Sequence, residues 1–367
     1  MTGAQLLSEA MAEARLGLGQ TSPNPAVGAV LAQGGEIVGR GHHTWDGVKH
    51  AEVLAIEQAG ERARGATLYL NLEPCSHEGR TAPCAQAVIA AGVRHVVAAM
   101  EDPNPLVAGQ GFAQLRAAGI EVTVDASFTG EATKLNEAFV HFMRTGRPLV
   151  TIKAALTLDG KIAAPIDNTG WLTSERARSH VQDFRHQTDT ILTGIGTLLA
   201  DDCLLTDRTA RKRSRPLLRI VLDSQLRIPL GSRMVESCAG DIMVVTTSLA
   251  STERKKILED RGVRVLVTDA PDGRTDLAAV VAALAKERYL SLMIEGGSKV
   301  NWAALESGIA DKIFFYYAPK ILGGLQSLPV AGGTGRSRRS DAIQFRHVTL
   351  HAITQEEFAV EAELVKP

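Results

Sequence analysis

The sequence predicts an α/β protein of two domains, and its length and its periodicity carry that prediction. The 367 residues are too many for one compact domain, at about 150 residues per domain. Apolar runs of strand length alternate with segments of helical periodicity along most of the chain. The alternation restarts at the turn-forming segment Arg144-Thr-Gly-Arg-Pro148. We therefore place the domains at residues 1–145 and 146–367.

The first domain begins with an amphipathic helix over residues 4–18, where apolar residues recur near the helical period. A hairpin follows, with Gly34 and Gly35 at its turn. Elements then alternate, with helices predicted at 50–58, 84–91 and 109–118 and strands at 27–31, 37–41, 67–72, 93–100 and 120–124. This order predicts an α/β sandwich with a largely buried sheet.

The second domain continues the alternation. Strands are predicted at 149–155, 191–194, 218–223, 242–246, 264–267, 291–295 and 312–317, and helices at 175–187, 252–260, 275–286 and 299–307. Two polar stretches interrupt it, the basic run Thr209–Arg215 and the Gly-, Ser- and Arg-containing run Gly332–Ser340. Solvated loops are the simpler interpretation of both. The alternative for the second is a flexible basic loop that holds an anionic substrate.

Composition and charge exclude several classes of protein. Forty basic and 41 acidic residues give a net charge of −1, without the electrostatic footprint of a nucleic-acid or anionic-membrane binder. No apolar stretch reaches the roughly 18 residues that cross a bilayer, and Glu9, Glu13 and Arg15 rule out a signal peptide. Four cysteines make no disulfide framework. We expect a cytoplasmic protein whose paired cysteines bind metal.

The strongest local pattern is His50-Ala-Glu52, followed by Pro74-Cys75 and by Cys84. One imidazole and two thiolates are ligands that zinc prefers, and three protein ligands leave a fourth tetrahedral position for water, as in catalytic sites. Glu52 is placed to stay off the metal and to carry a proton from that water. H-x-E followed by P-C-x-x-C is the zinc-deaminase pattern, although nine positions separate these cysteines. The alternative is a buried histidine and two unrelated small hydrophobic residues.

Longer motifs resemble one family, the bifunctional riboflavin-biosynthesis proteins in which a pyrimidine deaminase is fused to a 5-amino-6-(5-phosphoribosylamino)uracil reductase. In the first domain the resemblance rests on Pro23-Asn-Pro-Ala-Val-Gly28, His50-Ala-Glu52, Glu73-Pro-Cys-Ser-His77, Gly79-Arg-Thr-Ala-Pro-Cys84, Asp102-Pro-Asn-Pro105 and Val107-Ala-Gly109. In the second it rests on Lys153, Leu158-Asp-Gly160, Trp171-Leu-Thr-Ser174, Ala200-Asp-Asp202, Leu222-Asp-Ser224, Glu295-Gly-Gly-Ser298 and Ala318-Pro-Lys-Ile-Leu-Gly-Gly324. The long cysteine spacing is typical of this family.

The chain departs from the family pattern at Ala82, at Cys203 and at Thr169-Gly-Trp171. The family has proline at the first two positions and Ser-x-Trp at the third. None of these changes removes an acid, a base or a metal ligand, but Cys203 changes a loop that contacts the nucleotide.

The resemblance implies a cytidine-deaminase-like α/β/α sandwich for residues 1–145 and a dihydrofolate-reductase-like α/β domain beyond. It implies that zinc activates water for attack on C2 of 2,5-diamino-6-(5-phosphoribosylamino)pyrimidin-4-one, with Glu52 carrying the proton to the departing ammonia. Asn24 and His42 line the pocket in this view, and His77 to Thr81 close over the ring. The alternative for Asn24 is a rigid Pro-Asn-Pro turn. His77 is the other histidine near the cysteines, and we assign it to the substrate or to solvent.

The second implied reaction reduces the ribosyl group to a ribityl chain with hydride from NADPH. The resemblance places the cofactor near Ala155, Trp171, Thr197, Asp201, Ser224, Gly297, Ser298, Lys299, Val300, Asn301, Trp302 and Ala303. It places the phosphorylated pyrimidine near Thr169, Arg185, Leu205, Arg208 and Glu295. A strand–Gly-Gly–helix order at 291–298 suits a diphosphate, although Gly-Gly alone is weak evidence. The partial Gly194-x-Gly196 match lacks the full dinucleotide fingerprint.

Lys153 and Asp201 are the candidates for orienting the ribose and donating a proton, the alternative for Lys153 being a charge at a strand edge. Arg185 and Arg208 suit a phosphate because a guanidinium presents a fork of donors. The family also implies a homo-oligomer. Competing functions are a zinc deaminase that acts on RNA or free nucleotides, a structural zinc protein, and a chain with one active half. Neutral charge and 4% aromatic residues disfavour the first of these.

Overall fold

The computed structural model of the protein describes residues 1–76, 82–105 and 107–366. It divides into two compact units, Met1–Gly146 with Lys212–Arg215, and Arg147–Arg211 with Pro216–Pro367. The grouping of residues 212–215 with the first unit has no counterpart in the sequence-based prediction. No helix in the described part of the chain has both the length and the apolar character needed to cross a membrane.

The first unit is an α/β/α sandwich, as predicted. Its helices are α1 Gly3–Leu16, α2 Ala51–Ala59, α3 Cys84–Ala90, α4 Gln110–Ala117, α5 Thr129–Leu135 and α6 Glu137–Thr145. Its strands are β1 Gly28–Gln33, β2 Glu36–His42, β3 Thr67–Leu70, β4 His95–Ala98 and β5 Glu121–Val124. The sheet order is β2-β1-β3-β4-β5. The first three strands pair antiparallel, whereas β3, β4 and β5 run parallel.

Apolar residues fill both faces of this sheet. One cluster joins it to α2, α3 and α4, and a second joins it to α1, α5 and α6. Strand β2 shows how tightly the layers pack: a Cβ on Gly39 would lie 2.1 Å from the Ala55 carbonyl oxygen of α2, and one on Gly41 would lie 2.3 Å from that of Ala51. From Gly39 onward, past a bulge in the pairing of β1 with β2, Gly39 and Gly41 therefore face α2, and Arg40 and His42 face α1.

The second unit is also α/β. Its helices are α7 Glu175–Gln187, α8 Ile195–Asp201, α9 Arg233–Glu236, α10 Thr252–Glu259, α11 Leu277–Lys286 and α12 Ser298–Glu306. Its strands are β6 Leu149–Thr157, β7 Lys161–Ala163, β8 Thr190–Gly194, β9 Leu218–Leu222, β10 Ile242–Thr246, β11 Arg264–Val267, β12 Ser291–Ile294, β13 Lys312–Ala318, β14 Leu328–Pro329, β15 Phe345–Ala352 and β16 Phe358–Leu364.

The main sheet of this unit has the order β11-β10-β9-β8-β12-β6-β13-β16-β15, while β7 and β14 form a separate ribbon. Strands from β11 to β13 in this order are parallel, and β16 and β15 are antiparallel. Consequently β12 and β6 lie inside the sheet, with apolar clusters on both faces. Parallel strands bring their carboxyl ends to one edge, where the ends of β8, β9, β12 and β6 meet.

Candidate functional site

Three metal-binding side chains converge at one end of the first unit. His50 is the N-cap of α2, Cys84 is the first residue of α3, and Cys75 follows the end of β3. Their ligand atoms lie within 4.8 Å of one another. His50 Nδ1 is 3.1 Å from Cys84 Sγ and 3.5 Å from Cys75 Sγ. Atoms that share a tetrahedral zinc ion lie about 3.5–4 Å apart, so the predicted ligands fit zinc.

The ionisation of the two cysteines also suits a metal. The Cys84 side chain lowers the pKa of Cys75 to about 4, and hydrogen bonds from His50 and from the Cys84 backbone, 3.3 Å away, act in the same direction. The same pairing raises the pKa of Cys84. The hydrogen bond to Cys75 raises the pKa of His50. A lowered pKa at Cys75 suits a metal ligand, because thiolates bind metals.

Glu52 lies in the first turn of α2, and its side chain is buried beside the sulfurs. Burial, helped by the negative charge of Cys75, raises the pKa of Glu52 to about 7. Its Oε2 atom is buried and makes no hydrogen bond to any residue that the structure describes. A buried polar atom without a partner is costly unless a ligand or water satisfies it. The structure thus places the predicted proton carrier beside the metal ligands.

The histidine that packs against the metal ligand His50 is His43, whereas the family resemblance implies His42 as the pocket residue. Because side chains alternate along a strand, His42 faces α1, where its Nδ1 lies 3.3 Å from Glu13 Oε2. His43 faces the other way, and its ring packs edge-on against that of His50 with centroids 4.9 Å apart. Asn24 Nδ2 lies 3.3 Å from His43 Nε2. Gly39 and Gly41 were the sequence signal for this difference, because two glycines two positions apart mark the face of β2 that packs against α2.

Asn24 contacts His43, and His43 contacts the metal ligand His50. These contacts favour the prediction that Asn24 lines the pocket over the alternative that it belongs only to a rigid turn. The predicted ring-closing residues His77 to Thr81 lie outside the described residues.

The second unit joins a carboxylate to two cations. Glu295 follows β12, Lys153 lies on β6 and Arg185 lies on α7. Arg185 donates from Nε to Glu295 Oε1 at 2.7 Å and from Nη2 to Oε2 at 2.9 Å, and Lys153 Nζ donates to Oε2 at 3.2 Å. Burial alone would raise the pKa of Glu295, but Lys153 and Arg185 outweigh it and lower the pKa to about 2. The carboxylate is therefore charged at neutral pH.

Lys153 is not at a strand edge, because β6 pairs with β12 on one side and with β13 on the other. The alternative interpretation of Lys153 is therefore wrong. Its ammonium lies 5.8 Å from the centre of the Tyr316 ring, and His180 Nδ1 lies 2.7 Å from the Tyr316 hydroxyl. Ala155 lies two residues further along β6, on the same face of the sheet.

The loop after α8 is hydrogen-bonded to two residues of α7, Arg185 and Gln182. Arg185 Nη1 donates to the Thr206 carbonyl at 3.0 Å, and Gln182 accepts from the Arg208 N–H at 2.8 Å. The Leu205 side chain is buried in an apolar cluster, so this predicted substrate residue serves the core. Cys203 is half-buried, and burial together with the charge of Asp201 raises its pKa to about 11.

Asp201 is the last residue of α8 and is exposed. Burial of part of its surface raises its pKa. Within the described residues, no hydrogen bond or ion pair joins Asp201 to Lys153 or Glu295. The two predicted proton donors are thus not in direct contact.

Most of the predicted cofactor residues lie at or after the ends of β8, β9 and β12, whereas Ala155 lies on β6 and Trp171 precedes α7. Gly297 is the N-cap of α12 and has no side-chain cap. A Cβ on Gly297 would lie 3.4 Å from Thr197 Oγ1, so these two predicted residues are neighbours. Ser224 follows β9, and its carbonyl accepts a hydrogen bond of 2.9 Å from Thr247.

Helix α12 begins with buried polar groups that lack partners among the described residues, namely Ser298 Oγ, Asn301 Oδ1 and Trp302 Nε1. Its first turns carry the other predicted cofactor residues, Lys299, Val300 and Ala303. Ser298 Oγ and Trp302 Nε1 can donate hydrogen bonds, whereas Asn301 Oδ1 can only accept. An uncapped helix start with two such donors fits the diphosphate of a dinucleotide.

Thr169 and Trp171 lie on an exposed segment before α7. Thr169 donates from its N–H and its hydroxyl to Asp167, at 2.8 and 2.9 Å. The Trp171 ring packs under the Arg178 guanidinium, 4.9 Å from its carbon. No described contact joins either residue to Glu295 or to α12.

Comparison with known proteins assigns both units. Residues 2–100 match the family model of the cytidine and deoxycytidylate deaminase zinc-binding region, and residues 148–356 match that of the RibD C-terminal domain. The riboflavin biosynthesis protein RibD of Actinobacillus pleuropneumoniae is 41% identical over 346 residues, covering 94% of this chain and 91% of that protein. That of Escherichia coli (strain K12) is 41% identical over 355 residues, covering 93% and 94%.

Solved structures agree with these matches. RibD of Acinetobacter baumannii, form 1, superposes with a TM-score of 0.87 at 34% identity and covers 99% of this chain and 98% of its own. A diaminohydroxyphosphoribosylaminopyrimidine deaminase/5-amino-6-(5-phosphoribosylamino)uracil reductase from Thermotoga maritima has a TM-score of 0.82 at 32% identity, with 98% of each chain covered. Identity and coverage of this extent, together with the metal cluster, show that the chain belongs to the RibD family of riboflavin biosynthesis proteins.

Proposed function

We propose that this chain deaminates 2,5-diamino-6-(5-phosphoribosylamino)pyrimidin-4-one at C2 and then reduces its ribosyl group to ribityl, giving 5-amino-6-(5-phosphoribitylamino)uracil. The observation that carries the proposal is the His50, Cys75 and Cys84 cluster beside the unpartnered carboxylate of Glu52. It occurs in a chain whose second unit holds the charged group Lys153, Glu295 and Arg185. The family's two activities are a hydrolase and an oxidoreductase, and each unit carries suitable residues for one of them.

In the deaminase unit, His50, Cys75 and Cys84 would hold zinc, which would make a water molecule reactive at neutral pH. Glu52, buried beside these ligands, would carry a proton from the attacking water to the amino group that leaves C2. Asn24 and His43 line the pocket, because His43 contacts both Asn24 and the metal ligand His50. His43 replaces His42 in this assignment.

In the reductase unit, NADPH supplies the hydride that reaches C1′ of the ribosyl group. The ring oxygen that leaves C1′ needs a proton, and Lys153 is a candidate donor because a hydrogen bond to Glu295 orients its Nζ atom. Asp201, on the loop side of the site, is the other candidate. Arg185 orients Glu295 and the Thr206 carbonyl together, and Arg208 supplies charge for the substrate phosphate. Thr169 and the backbone at Leu205 complete the substrate residues.

The strand order supports the cofactor site. Strands β8 and β12 are parallel neighbours, but the connections that leave them run to opposite sides. The connection from β8 leads to β9 on one side, and the connection from β12 leads past β6 to β13 on the other. Ligands of open parallel sheets bind at such a switch point, beyond the carboxyl ends of the strands. The nucleotide contacts Thr197, Ser224 and the start of α12 in this proposal. Ala155 and Trp171 are the remaining cofactor residues of this proposal.

The experiment is a product-mass assay of zinc-loaded protein with the diaminopyrimidine substrate, first without and then with NADPH. Exchange of an amino for an oxo group in the first run, and addition of two hydrogens in the second, is the expected result. Glu52→Gln is the matched control, which should lose the exchange and still reduce the deaminated compound. Exchange without reduction would limit the chain to deamination, and no reaction in either run would overturn the proposal in favour of a nucleic-acid deaminase.

The proposal extends to partners and location. The partner is a small phosphorylated pyrimidine, with no role for nucleic acid or membrane, since acidic and basic residues nearly balance.

We propose that the chain forms a homo-oligomer. Exposed apolar side chains of the second unit, such as Ile166, Ile321 and Leu325, support this proposal. A sedimentation-velocity measurement tests it, and a monomer at micromolar concentration would overturn it. Thiolate ligands suit a reducing compartment, so we place the enzyme in the cytoplasm.

A further inference from the structure

Glu73 is a buried carboxylate that the proposed mechanism does not use. It follows β3 and immediately precedes Pro74 and the metal ligand Cys75. Only 4% of the surface of Glu73 is exposed to solvent. A buried carboxylate is costly unless hydrogen bonds or a cation compensate it, so its partners show what it is for.

Its partners are backbone N–H groups. Glu73 Oε2 accepts from Asp102 at 3.0 Å and Gly109 at 2.9 Å, and Oε1 accepts from Gly111 at 2.8 Å and Phe112 at 3.2 Å. Gly111 and Phe112 lie in the first turn of α4, whose N-cap Gly109 has no side chain. Glu73 therefore caps α4 from another element, with its negative charge at the positive end of the helix.

The contact continues on both sides of the metal ligand. The Pro74 carbonyl packs so closely on Gly111 that a Cβ there would lie 2.0 Å from its oxygen. Gln114, one turn further along α4, donates to the Ser76 carbonyl at 3.4 Å. Helix α4 thus holds Glu73, Pro74 and Ser76, and Cys75 lies between them. The backbone that aims Cys75 Sγ is fixed by a helix that contributes no metal ligand.

We infer that Glu73 is a positioning residue for the metal centre. It ties the backbone at Asp102, at Gly109 and at the start of α4 to the segment after β3 that carries Cys75, and it sets the direction of that ligand. The inference rests on the proposed metal centre. It also gives a role to the Asp102-Pro-Asn-Pro105 and Val107-Ala-Gly109 motifs, which the proposed mechanism leaves unassigned.

The test compares Glu73→Gln with the wild type after zinc is replaced by cobalt. The amide nitrogen of glutamine would face backbone donors where an oxygen now accepts, so the turn before Cys75 must shift. We expect the cobalt affinity to fall about tenfold or more, as for other groups that orient metal ligands, and the cobalt absorption bands to change. Reduction of the already deaminated substrate should stay at the wild-type rate. Glu101→Gln is the matched control, because Glu101 is exposed and makes no described contact.

The readouts separate this inference from the proposed function. A wild type that binds cobalt without thiolate-to-cobalt absorption would overturn the metal centre itself. A Glu73→Gln protein with wild-type cobalt affinity and spectrum, and only a lower unfolding midpoint, would overturn the positioning role. Should that variant not fold, Gln114→Ala at a half-exposed position replaces it. A smaller loss of affinity with altered cobalt bands supports the inference there, and an unchanged spectrum overturns it.

Discussion

His42 is the last residue of β2 and His43 is the next residue along the chain, and because they make different contacts they form a natural pair for mutagenesis. His43 packs against His50 and Asn24, whereas His42 contacts Glu13 of α1. We expect His43→Ala to lower kcat/KM for deamination at least tenfold and His42→Ala to change it less than twofold. Steady-state kinetics on both zinc-loaded variants checks this. Equal losses in the two variants would contradict the assignment.

Glu295 gives a prediction on stability and pH. Glu295→Gln leaves two buried cations without their counter-charge, and removing one partner of a buried pair costs about 3–5 kcal/mol. The pKa of Glu295 is lowered from 4.5 to about 2 in the folded protein. Its contribution is therefore fully present above pH 4.5 and is lost as pH falls towards 2, because the unfolded chain then binds a proton that the folded chain does not.

Urea unfolding of the wild type and of Glu295→Gln, followed by tryptophan fluorescence at pH 7, 4 and 3, checks this prediction. The difference in free energy of unfolding should be largest at pH 7 and should shrink at each lower pH. Glu306→Gln, at an exposed position of α12, should match the wild type throughout. A difference that grows on acidification would contradict the assigned ion group.

At the scale of elements, the turns after β8 and β12 depend on glycine. Gly194 has ordinary extended backbone angles, but a Cβ there would lie 2.7 Å from Val300 Cγ2 of α12. We expect Gly194→Ala to displace α12 and to raise the KM for NADPH severalfold without affecting deamination. Val300→Ala in the same chain makes room for the added methyl group and should restore most of the lost affinity. No rescue in the double variant would contradict the steric explanation.

Sequence periodicity predicted the central elements well, because β1, β3, β8 and β12 are short, buried and apolar and are bounded by turn residues. It missed β15 and β16 after residue 317. Strand β15 lies at the sheet edge with mostly exposed side chains, and its apolar alternation is confined to Val348–Ala352, beyond a bulge between Arg346 and Thr349. Helices α5 and α6 follow one another directly, joined at Asn136, and α8 follows β8 without a loop, so no turn signal separates them.

At the scale of the whole molecule, the two reactions use separate sets of residues. The metal ligands and Glu52 belong to the first unit, and the ion group around Glu295 belongs to the second. Removing zinc with a chelator should therefore abolish amino-to-oxo exchange and leave reduction of the deaminated substrate at its wild-type rate. Restoring zinc should recover the exchange. Loss of both activities in the metal-free protein would contradict this separation.

The same division explains how much of each site could be predicted. The metal centre lies within a short stretch, from His50 to Cys84, where ligand types and order are visible in the sequence alone. The Lys153, Arg185 and Glu295 group comes from three elements that only the fold brings together. The family resemblance named all three side chains, but nothing short of the fold shows that Arg185 contacts Glu295.

The position of β12 also affects the order in which the chain acquires its structure. Leu149 of β6 pairs with Ser291 of β12, and β8 pairs with the same strand from the other side. During synthesis, the edges of β6 and β8 that pair with β12 therefore stay unpaired until most of the second unit has left the ribosome. The first unit finds nearly all its partners within the first 146 residues, so it can close much earlier. Strand edges of the nascent second unit therefore stay unpaired for longer, and unpaired strand edges favour association with other chains.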